Sequence, residues 1–283
     1  MLKRTITGSI YVAIIVGFFL LRNHADNCLF NVLILAFCAL GTFEVARAIK
    51  PHLFKGNFAL AVIFGSMFVP IFCLFEYFTG VTGAYSCLIF VAAAVIYQAI
   101  YSLIKKSGFS KFCVNALPFI YPALLLLTML CANENKSGFI ILLLVFVISP
   151  CADTFAYLVG MTYNKIRKGK AKKMCPRLSP KKTWAGAIGG VIGGIVGALV
   201  VYFTVDTSAL SSTIISPVIV FIIIGAVASV MTEIGDLFES YIKRKVSIKD
   251  MGKVMPGHGG IMDRIDGMSF AAVFVYAIFV LLI

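Results

Sequence analysis

Acidic and basic residues are concentrated near the C-terminal end of the chain, between residues 233 and 266. Half of the 12 acidic residues lie there, namely Glu233, Asp236, Glu239, Asp250, Asp263 and Asp266. Lysines, arginines and His258, one of only three histidines, are interspersed among them. Carboxylates can hold a hard cation such as Mg²⁺, and Lys and Arg side chains can hold phosphate groups. This segment therefore has the composition of a site for magnesium-dependent phosphate chemistry.

Three aspartates of this segment are candidate metal ligands. Asp263 and Asp266 are three residues apart, so on a helix they face the same way and repel each other unless a positive charge lies between them. Asp236 comes from the end of the preceding apolar run, and we expect all three aspartates to bind one cation. The alternative is that the acids only pair with local lysines on solvated helix faces, as Glu239 would with Lys243 one turn away.

The segment from Pro256 to Gly260, Pro-Gly-His-Gly-Gly, cannot form a regular helix. Proline lacks a backbone N–H, and glycine readily adopts the tight turns that other residues avoid. Backbone N–H groups in turns of this kind can cradle an anion. We therefore expect a loop here that binds an anionic group.

A second basic segment, residues 179–183 (Ser-Pro-Lys-Lys-Thr), precedes the apolar run that begins at Trp184. The start of a helix offers free N–H groups and a positive dipole, which favour a phosphate. The alternative is a basic anchor beside an interfacial tryptophan. The nine basic residues between Lys165 and Lys182 exceed what an anchor needs, which favours a polyphosphate or an acidic lipid head group.

The composition indicates which elements must position these residues. The chain has 283 residues, 60% of them hydrophobic, and its mean hydropathy is +0.99, which is typical of a polytopic helical membrane protein. Its continuous apolar runs exclude the alternating pattern of a membrane β-barrel. Basic loops facing an anionic leaflet explain the net charge of +13, so we expect no nucleic-acid partner. The eight cysteines form no CxxC pair and are interpreted as reduced packing residues.

The sequence predicts an all-α fold with about nine transmembrane helices. The predicted spans are residues 6–21, 28–48, 59–77, 85–104, 114–130, 138–158, 184–204, 214–230 and 268–283. If the N-terminus is cytoplasmic, all of the 25 lysines and arginines except Arg22 and Lys136 fall on the cytoplasmic side. The positive-inside rule therefore predicts a cytoplasmic N-terminus, an external C-terminus and a polar site built from C-terminal helices and two cytoplasmic loops.

We divide the chain into an N-terminal transmembrane region, residues 1–135, and a C-terminal transmembrane catalytic region, residues 136–283. In the first region Glu44 lies within a predicted span, which is a hint of function. The interpretation that we favour is a pair between Glu44 and Arg47 at the cytoplasmic end of that span.

In the second region, Gly186, Gly190, Gly193 and Gly197 line one face of the seventh span. A glycine face allows close helix packing, and both a monomer and a homodimer packed through this face remain open.

Between Ser240 and Asp266 the chain resembles the signature of CDP-diacylglycerol synthases, also called phosphatidate cytidylyltransferases. That signature reads S-x-apolar-K-R-x4-K-D-x-G-x2-apolar-P-x-H-G-G-apolar-x-D-R-apolar-D. Its fixed positions are filled here by Ser240, Lys243, Arg244, Lys249, Asp250, Gly252, Pro256, His258, Gly259, Gly260, Asp263, Arg264 and Asp266. Met255 replaces a more usual Leu, Ile or Phe. Residues 153–160 and 179–184 are also similar to the family, although Ala185 stands where Glu or Gln is common.

The resemblance implies that CTP and phosphatidic acid react to give CDP-diacylglycerol and pyrophosphate in phospholipid biosynthesis. It implies Mg²⁺ as cofactor, bound by Asp236, Asp263 and Asp266, and leaves the identity of any second cation open. It also implies a set of substrate-binding and phosphate-binding residues, namely Ser179, Lys181, Lys182, Thr183, Lys243, Arg244, Lys249, Asp250, Gly259, Gly260, Arg264 and Asp153. His258 would donate a hydrogen bond to a phosphate or to the leaving pyrophosphate. Membrane lipids are the further partners, and the site would face the cytoplasm from the inner membrane.

A CTP-dependent membrane lipid-alcohol kinase is the nearest alternative, because it too handles a nucleotide and Mg²⁺. CDP-alcohol phosphotransferases carry the pattern D-G-x2-A-R followed by further spaced aspartates. Here Asp266-Gly267 is followed by Met268-Ser269-Phe270, so this pattern is not matched. A transporter would carry charged residues near the middle of the membrane, whereas the acids here are predicted at one face. We therefore favour the cytidylyltransferase reaction.

Overall fold

The structure is a computed structural model that describes residues 2–207, 216–257 and 259–282. Within these residues, nine helical segments are long and apolar enough to cross a membrane. This confirms the predicted all-α fold, and the chain is an integral membrane protein. The helices are α1 (Leu2–His24), α2 (Cys28–Ala48), α3 (Asn57–Thr79), α4 (Ala84–Ile104), α5 (Phe109–Ile120), α6 (Ala123–Glu134), α7 (Gly138–Ile166), α8 (Trp184–Thr204), α9 (Pro217–Lys245) and α10 (Met262–Leu282).

The first compact unit consists of Met1–Glu134 and Val246–Ile265. Helix α2 is central to it, because α2 packs against α1, α3, α5 and α6. Large apolar side chains fill this core, and Phe30, Phe68 and Phe72 are fully buried. By packing, the loop between α9 and α10 thus belongs with the N-terminal helices, although it carries most of the family signature.

A buried polar network joins α3, α4 and α5 of this unit. The side-chain amide of Asn57 donates to Gln98 Oε1 at 2.8 Å and to Asn115 Oδ1 at 2.7 Å. All three side chains are buried. Polar groups at membrane depth need internal hydrogen-bond partners, since lipid offers none. This network therefore stabilises the N-terminal helices.

The fifth predicted span consists of two helices, α5 and α6, rather than one. They meet at Tyr121 and Pro122, where the backbone of Tyr121 is extended. Proline has no N–H to continue a helix and disfavours the helical conformation of the residue before it. The hydrophobic pattern continues through the break, which is why it predicted one span.

The second compact unit consists of Asn135–Lys245 and Asp266–Ile283. Its helix α8 packs against both α7 and α9. Between α7 and α8, strands β1 (Lys173–Cys175) and β2 (Ser179–Thr183) form an antiparallel hairpin. Strand β2 also packs on α7 and α8, so the hairpin holds the basic segment against the helices.

The glycine face of α8 is used for packing within the chain, as predicted. A Cβ added to Gly186 would lie 2.8 Å from the carbonyl oxygen of Ala156, and one added to Gly193 would lie 2.5 Å from Phe155 Cβ. Both neighbours belong to α7. The close approach of α7 and α8 therefore depends on these glycines. Neighbouring helices α7 and α9 of the same chain occupy this face.

Three helices extend beyond the predicted apolar spans by six residues or more at one end. Helix α7 continues to Ile166 instead of ending near residue 158, and α9 continues to Lys245. Helix α10 begins at Met262, six residues before the predicted start at Met268. Backbone hydrogen bonding carries a helix past the edge of the hydrocarbon, whereas hydropathy marks only the apolar part. The predicted start of the eighth span, Ile214, lies outside the described residues.

Candidate active site

A cluster of three carboxylates lies between α9 and α10 of the second unit. One oxygen of each of Asp236, Glu239 and Asp266 lies within 4.8 Å of the others. Two glycines allow the helices to approach: a Cβ added to Gly235 would lie 2.7 Å from the carbonyl oxygen of Asp266. On Gly267 it would lie 2.7 Å from Thr232 Cγ2. Glycine is therefore needed where the two backbones bring the acids together.

Two lysines pair with this cluster. Lys182 Nζ lies 2.7 Å from Asp236 Oδ2, and Lys243 Nζ lies 2.8 Å from Glu239 Oε2. The Glu239–Lys243 pair is the one proposed for a solvated helix face, but Glu239 is fully buried. The spacing of Glu239 and Lys243 therefore predicted this pair but not its burial, and the predicted metal ligands did not include Glu239.

The helix cap that follows Lys182 fixes the position of that lysine. Thr183 ends β2 and is the N-cap residue of α8, where its Oγ1 accepts the backbone N–H of Gly186 at 3.1 Å. Thr183 is also buried. The predicted helix start is confirmed, but the hydroxyl of Thr183 already accepts a backbone N–H of α8.

A cavity of about 450 Å³ lies beside the Lys182–Asp236 pair. It is lined by α7, β1, β2, α8 and α9. The charged residues on its wall are Asp153, Lys173, Lys181, Lys182, Glu233 and Asp236. Ala156, Tyr157 and Met161 supply apolar wall. Asp153, the adjacent lysines Lys181 and Lys182, and Asp236 come from three separate segments of the sequence. The structure brings them to one cavity.

Glu233 is a cavity residue that sequence reasoning did not select. It is only 7% exposed, and its Oε1 is buried without a hydrogen-bond partner. A buried carboxylate oxygen without a partner is costly. A Cβ added to Gly190 of α8 would lie 2.7 Å from this oxygen, so glycine makes room for it. Its position just after the predicted span of residues 214–230, in the same acidic segment as Asp236, was the available signal.

The predicted residues of the hairpin and of the end of α9 lie near one another. Ser179 is in β2, opposite Cys175 of β1. Arg244 Nε donates to the carbonyl oxygen of Leu178 at 3.4 Å, a long and therefore weak hydrogen bond. Arg244 is exposed. The hairpin turn and the basic end of α9 are thus neighbours in this unit.

In the first unit, the loop before α10 forms a second cavity of about 610 Å³. Its charged lining residues are Lys249, Asp250, Lys253 and Arg264, and Gly259 also lines it. Gly257 and Gly259 have positive φ values of 83° and 93°, which accounts for glycine at both positions. The loop is non-helical, as predicted. His258 lies outside the described residues.

The backbone N–H groups of this loop are donated within the chain. Gly259 donates to Met255 O at 3.1 Å. Gly260 and Met251 donate to Asp263 Oδ2 at 2.7 and 3.0 Å. Two of these N–H groups therefore go to the carboxylate of Asp263, and the binding of an anionic group by this loop stays a prediction. Its role as a metal ligand stays a prediction.

The predicted pairing of Glu44 with Arg47 is wrong. Within the described residues these side chains form no ion pair within 4 Å, and Glu44 is only 1% exposed. Instead, Glu44 Oε2 accepts the backbone N–H of Met262 at 2.8 Å. This acceptor is far away in sequence, and local charge spacing could not have identified it.

An integral membrane protein with clustered carboxylates and lysines beside a cavity has the features of a membrane-embedded enzyme for phosphate chemistry. Residues 2–282 match the model of the cytidylyltransferase family, and the chain belongs to that family. Three relatives are each named phosphatidate cytidylyltransferase.

The relative from Rickettsia felis is 31% identical over 241 residues, which cover 82% of this chain and 97% of the relative. The relative from Rickettsia conorii is 30% identical over 226 residues, covering 77% of this chain and 91% of the relative. The relative from Mycobacterium tuberculosis is 35% identical over 154 residues, covering 54% of this chain and 42% of the relative. The two rickettsial matches cover most of both chains, so the similarity extends beyond the C-terminal motifs.

Proposed function

We propose that this protein transfers the cytidylyl group of CTP to phosphatidic acid and thereby forms CDP-diacylglycerol and pyrophosphate. The observation that carries the proposal is the cavity of about 450 Å³ that joins Lys181 and Lys182 of the hairpin to Asp236 of the carboxylate cluster. Family membership and the names of the relatives support the same reaction.

The carboxylate cluster fits a hard divalent cation. Its donors are all oxygens and lie within 4.8 Å of one another, and Mg²⁺ prefers oxygen ligands. We propose that Asp236, Glu239 and Asp266 hold Mg²⁺. We propose that Asp263 mainly stabilises the loop, because it accepts backbone N–H groups of Met251 and Gly260. When bound, Mg²⁺ neutralises phosphate oxygens and stabilises negative charge on the leaving group.

The reaction requires little proton transfer from the protein. The phosphate of phosphatidic acid is anionic at neutral pH, so its oxygen can attack the α-phosphorus of CTP without a general base. A new phosphorus–oxygen bond forms, and the bond to the bridging oxygen breaks to release pyrophosphate. The protein must therefore hold two polyanions close together and offset their repulsion.

Basic residues of the two units are the proposed phosphate-binding groups. Lys181 and Lys182 lie in the first cavity, and Lys249 and Arg264 lie in the second. Lys182 is already paired with Asp236 at 2.7 Å, so it can exchange between the carboxylate and a phosphate oxygen. The further proposed substrate-binding residues are Asp153, Ser179, Thr183, Asp250, Gly259 and Gly260, and Lys243, Arg244 and His258 are retained as proposed catalytic residues.

We also propose that the site faces the cytoplasm from the inner membrane. The C-terminal end of α7, the hairpin, the N-terminal end of α8 and the C-terminal end of α9 form one end of the second unit. The basic residues between 165 and 182 are in this part of the chain, and basic segments favour the cytoplasmic side. CTP is cytosolic, so this orientation gives it direct access.

The experiment that tests the function uses purified protein in mixed micelles of detergent and phosphatidic acid. With Mg²⁺ and CTP labelled at the α-phosphate, we expect label in the lipid fraction and one pyrophosphate released per lipid labelled. Chelation of Mg²⁺ should stop both. A lipid kinase would instead release CDP and transfer label only from the γ-phosphate. Release of CDP, or no label in lipid with a folded protein, would contradict the proposal.

A further inference from the structure

Glu44 of α2 is a buried carboxylate that the proposed reaction does not explain. It is 1% exposed, although it lies in a helix that is otherwise strongly apolar. Its Oε2 accepts the N–H of Met262, the first residue of α10, at 2.8 Å. Its Oε1 is buried without a hydrogen-bond partner. The N-terminus of α10 is therefore capped by a side chain from another helix.

This arrangement is expensive for stability alone. Removing a carboxylate from water costs several kcal/mol unless cations and hydrogen bonds compensate. Among the described residues, the donors to Glu44 are the backbone N–H groups of Met262 and Ile261, and no cation lies within 4 Å. An apolar side chain of similar volume would fill the site at lower cost. The presence of a carboxylate here therefore indicates that the protein requires a hydrogen-bond acceptor for the N–H of Met262.

Two glycines of the loop pack closely against the same carboxylate. A Cβ added to Gly252 or Gly260 would collide with the side chain of Glu44. Neither glycine has a positive φ, in contrast to Gly257 and Gly259, so backbone conformation does not require glycine there. The carboxylate explains these two glycines, because it occupies the space that a side chain would need.

We infer that Glu44 is a positioning residue, which fixes the loop around Gly252 and Gly260 and the start of α10. This inference rests on the proposed function, since it gives the N-terminal helices a part in that reaction. The first turns of α10 carry Arg264 and Asp266. The hydrogen bond to the N–H of Met262 fixes where the helix begins, and it therefore fixes the backbone positions from which these two side chains extend. An error of about 1 Å in such positions is enough to slow catalysis about 100-fold.

Substitutions of Glu44 separate positioning from simple space filling. Glu44→Gln keeps an oxygen that can accept the N–H of Met262, and we expect it to retain kcat/KM within about fivefold. Glu44→Met fills similar volume without an acceptor. We expect it to unfold at the same or a higher temperature, because a buried charge is removed, but to lose kcat/KM about 30-fold. Equal activity of the two variants would overturn the inference.

A double-mutant cycle tests the contact with the loop. Gly252→Ala alone should lower kcat/KM about 100-fold, because its methyl group collides with the carboxylate. In a Glu44→Ala background the collision is gone, and we expect the same change to cost less than about threefold. Equal costs in both backgrounds would show that Glu44 and Gly252 act independently and would overturn the inference.

Hydrogen exchange measured by mass spectrometry distinguishes a failure of the inference from a failure of the proposed function. In the intact protein, Glu44→Met should speed exchange in residues 251–262 about tenfold. The control is Asn57→Ala, which breaks a buried polar network of the same unit and should leave that exchange unchanged. Unchanged exchange in Glu44→Met overturns the inference whatever the activity. Faster exchange in a protein whose wild type forms no CDP-diacylglycerol would support the anchoring and reject the proposed function.

Discussion

Asp263 and Asp266 are three residues apart in the same helix, but the structure gives their carboxylates different partners. Asp263 Oδ2 accepts two backbone N–H groups of the glycine loop. Asp266 lies instead with Asp236 and Glu239, and one oxygen of each of these three residues lies within 4.8 Å of the others. A carboxylate with backbone donors stabilises a loop, whereas clustered carboxylates call for a cation. The same residue type in one motif therefore serves two purposes.

Glu44 and Glu233 are buried glutamates that lie outside the family signature and also differ in their surroundings. Glu44 Oε2 accepts the backbone N–H of Met262, the first residue of α10. Each glutamate has a buried Oε1 without a hydrogen-bond partner, but Glu233 lines the cavity of about 450 Å³ and Glu44 packs against the loop. A protein leaves a buried polar atom unpaired at a cost, which a ligand or ion in the cavity can offset. The difference indicates that the carboxylate of Glu44 shapes the loop in the first unit. In the second unit, the negative charge of Glu233 remains to be neutralised by a ligand or ion in the cavity.

The largest effect should come from the carboxylate cluster. Asp266→Asn or Asp236→Asn removes a negative charge from the cation site, and we expect turnover to fall about 1,000-fold or more. The measurement is CTP-dependent labelling of lipid by purified protein. Asp26→Asn, which changes an exposed carboxylate of the first loop, is the control and should be fully active. Near-normal turnover of the cluster variants in folded protein would reject the cluster as the cation site.

Lys182 should have the next largest effect, because it links the cavity to the cluster. Lys182→Ala removes a cation 2.7 Å from Asp236, and we expect kcat/KM for CTP to fall about 100-fold. Lys170→Ala, an exposed lysine before the hairpin, is the control. The thermal midpoint of Lys182→Ala should change little, since a partly exposed ion pair contributes about 0–1 kcal/mol. An unchanged KM for both substrates together with an unchanged kcat would count against the assignment.

Asp263→Asn should have a smaller effect, which sharpens the comparison within α10. The amide oxygen can still accept both N–H groups, but a hydrogen bond to a neutral acceptor is weaker by about 1 kcal/mol. We expect turnover to fall about tenfold, with faster hydrogen exchange in residues 251–260. A loss as complete as that of Asp266→Asn, without faster exchange, would return Asp263 to the set of metal ligands.

Glu233→Gln should have the smallest effect. It removes one negative charge from the cavity wall but keeps the shape of the side chain. We expect the Mg²⁺ concentration for half-maximal activity to rise about threefold, because nearby carboxylates strengthen cation binding. The measurement is an Mg²⁺ titration at saturating CTP. An unchanged Mg²⁺ dependence would mean that Glu233 acts only in helix packing beside Gly190.

Hydrophobicity alone predicted most of the fold. Nine spans follow from the lengths of the apolar runs, and the structure has nine such helical segments in its described residues. The break at Pro122 was not predicted, because the apolar pattern continues through it. The early start of α10 at Met262 was also missed, since the residues of its first turns are polar. Hydropathy detects the membrane, whereas caps and prolines decide where the helices end.

The site could be predicted only in part. Aspartates at the ends of apolar runs pointed to Asp236 and Asp266, and the start of α8 pointed to Lys182. Glu239 was missed as a cluster member because its spacing to Lys243 has an ordinary local explanation. The partner of Glu44 is Met262, which is 218 residues away along the chain. Contacts of that kind depend on tertiary packing, which neither spacing nor periodicity encodes.

The central claim is that Asp236, Glu239 and Asp266 hold the cation while Asp263 holds the loop. Mn²⁺ can replace Mg²⁺, and the signal of free Mn²⁺ in electron paramagnetic resonance reports how much ion the purified protein binds. We predict that the wild type and Asp263→Asn bind the ion, and that Asp236→Asn and Asp266→Asn do not. Binding that is lost in Asp263→Asn but kept in Asp266→Asn would contradict the account.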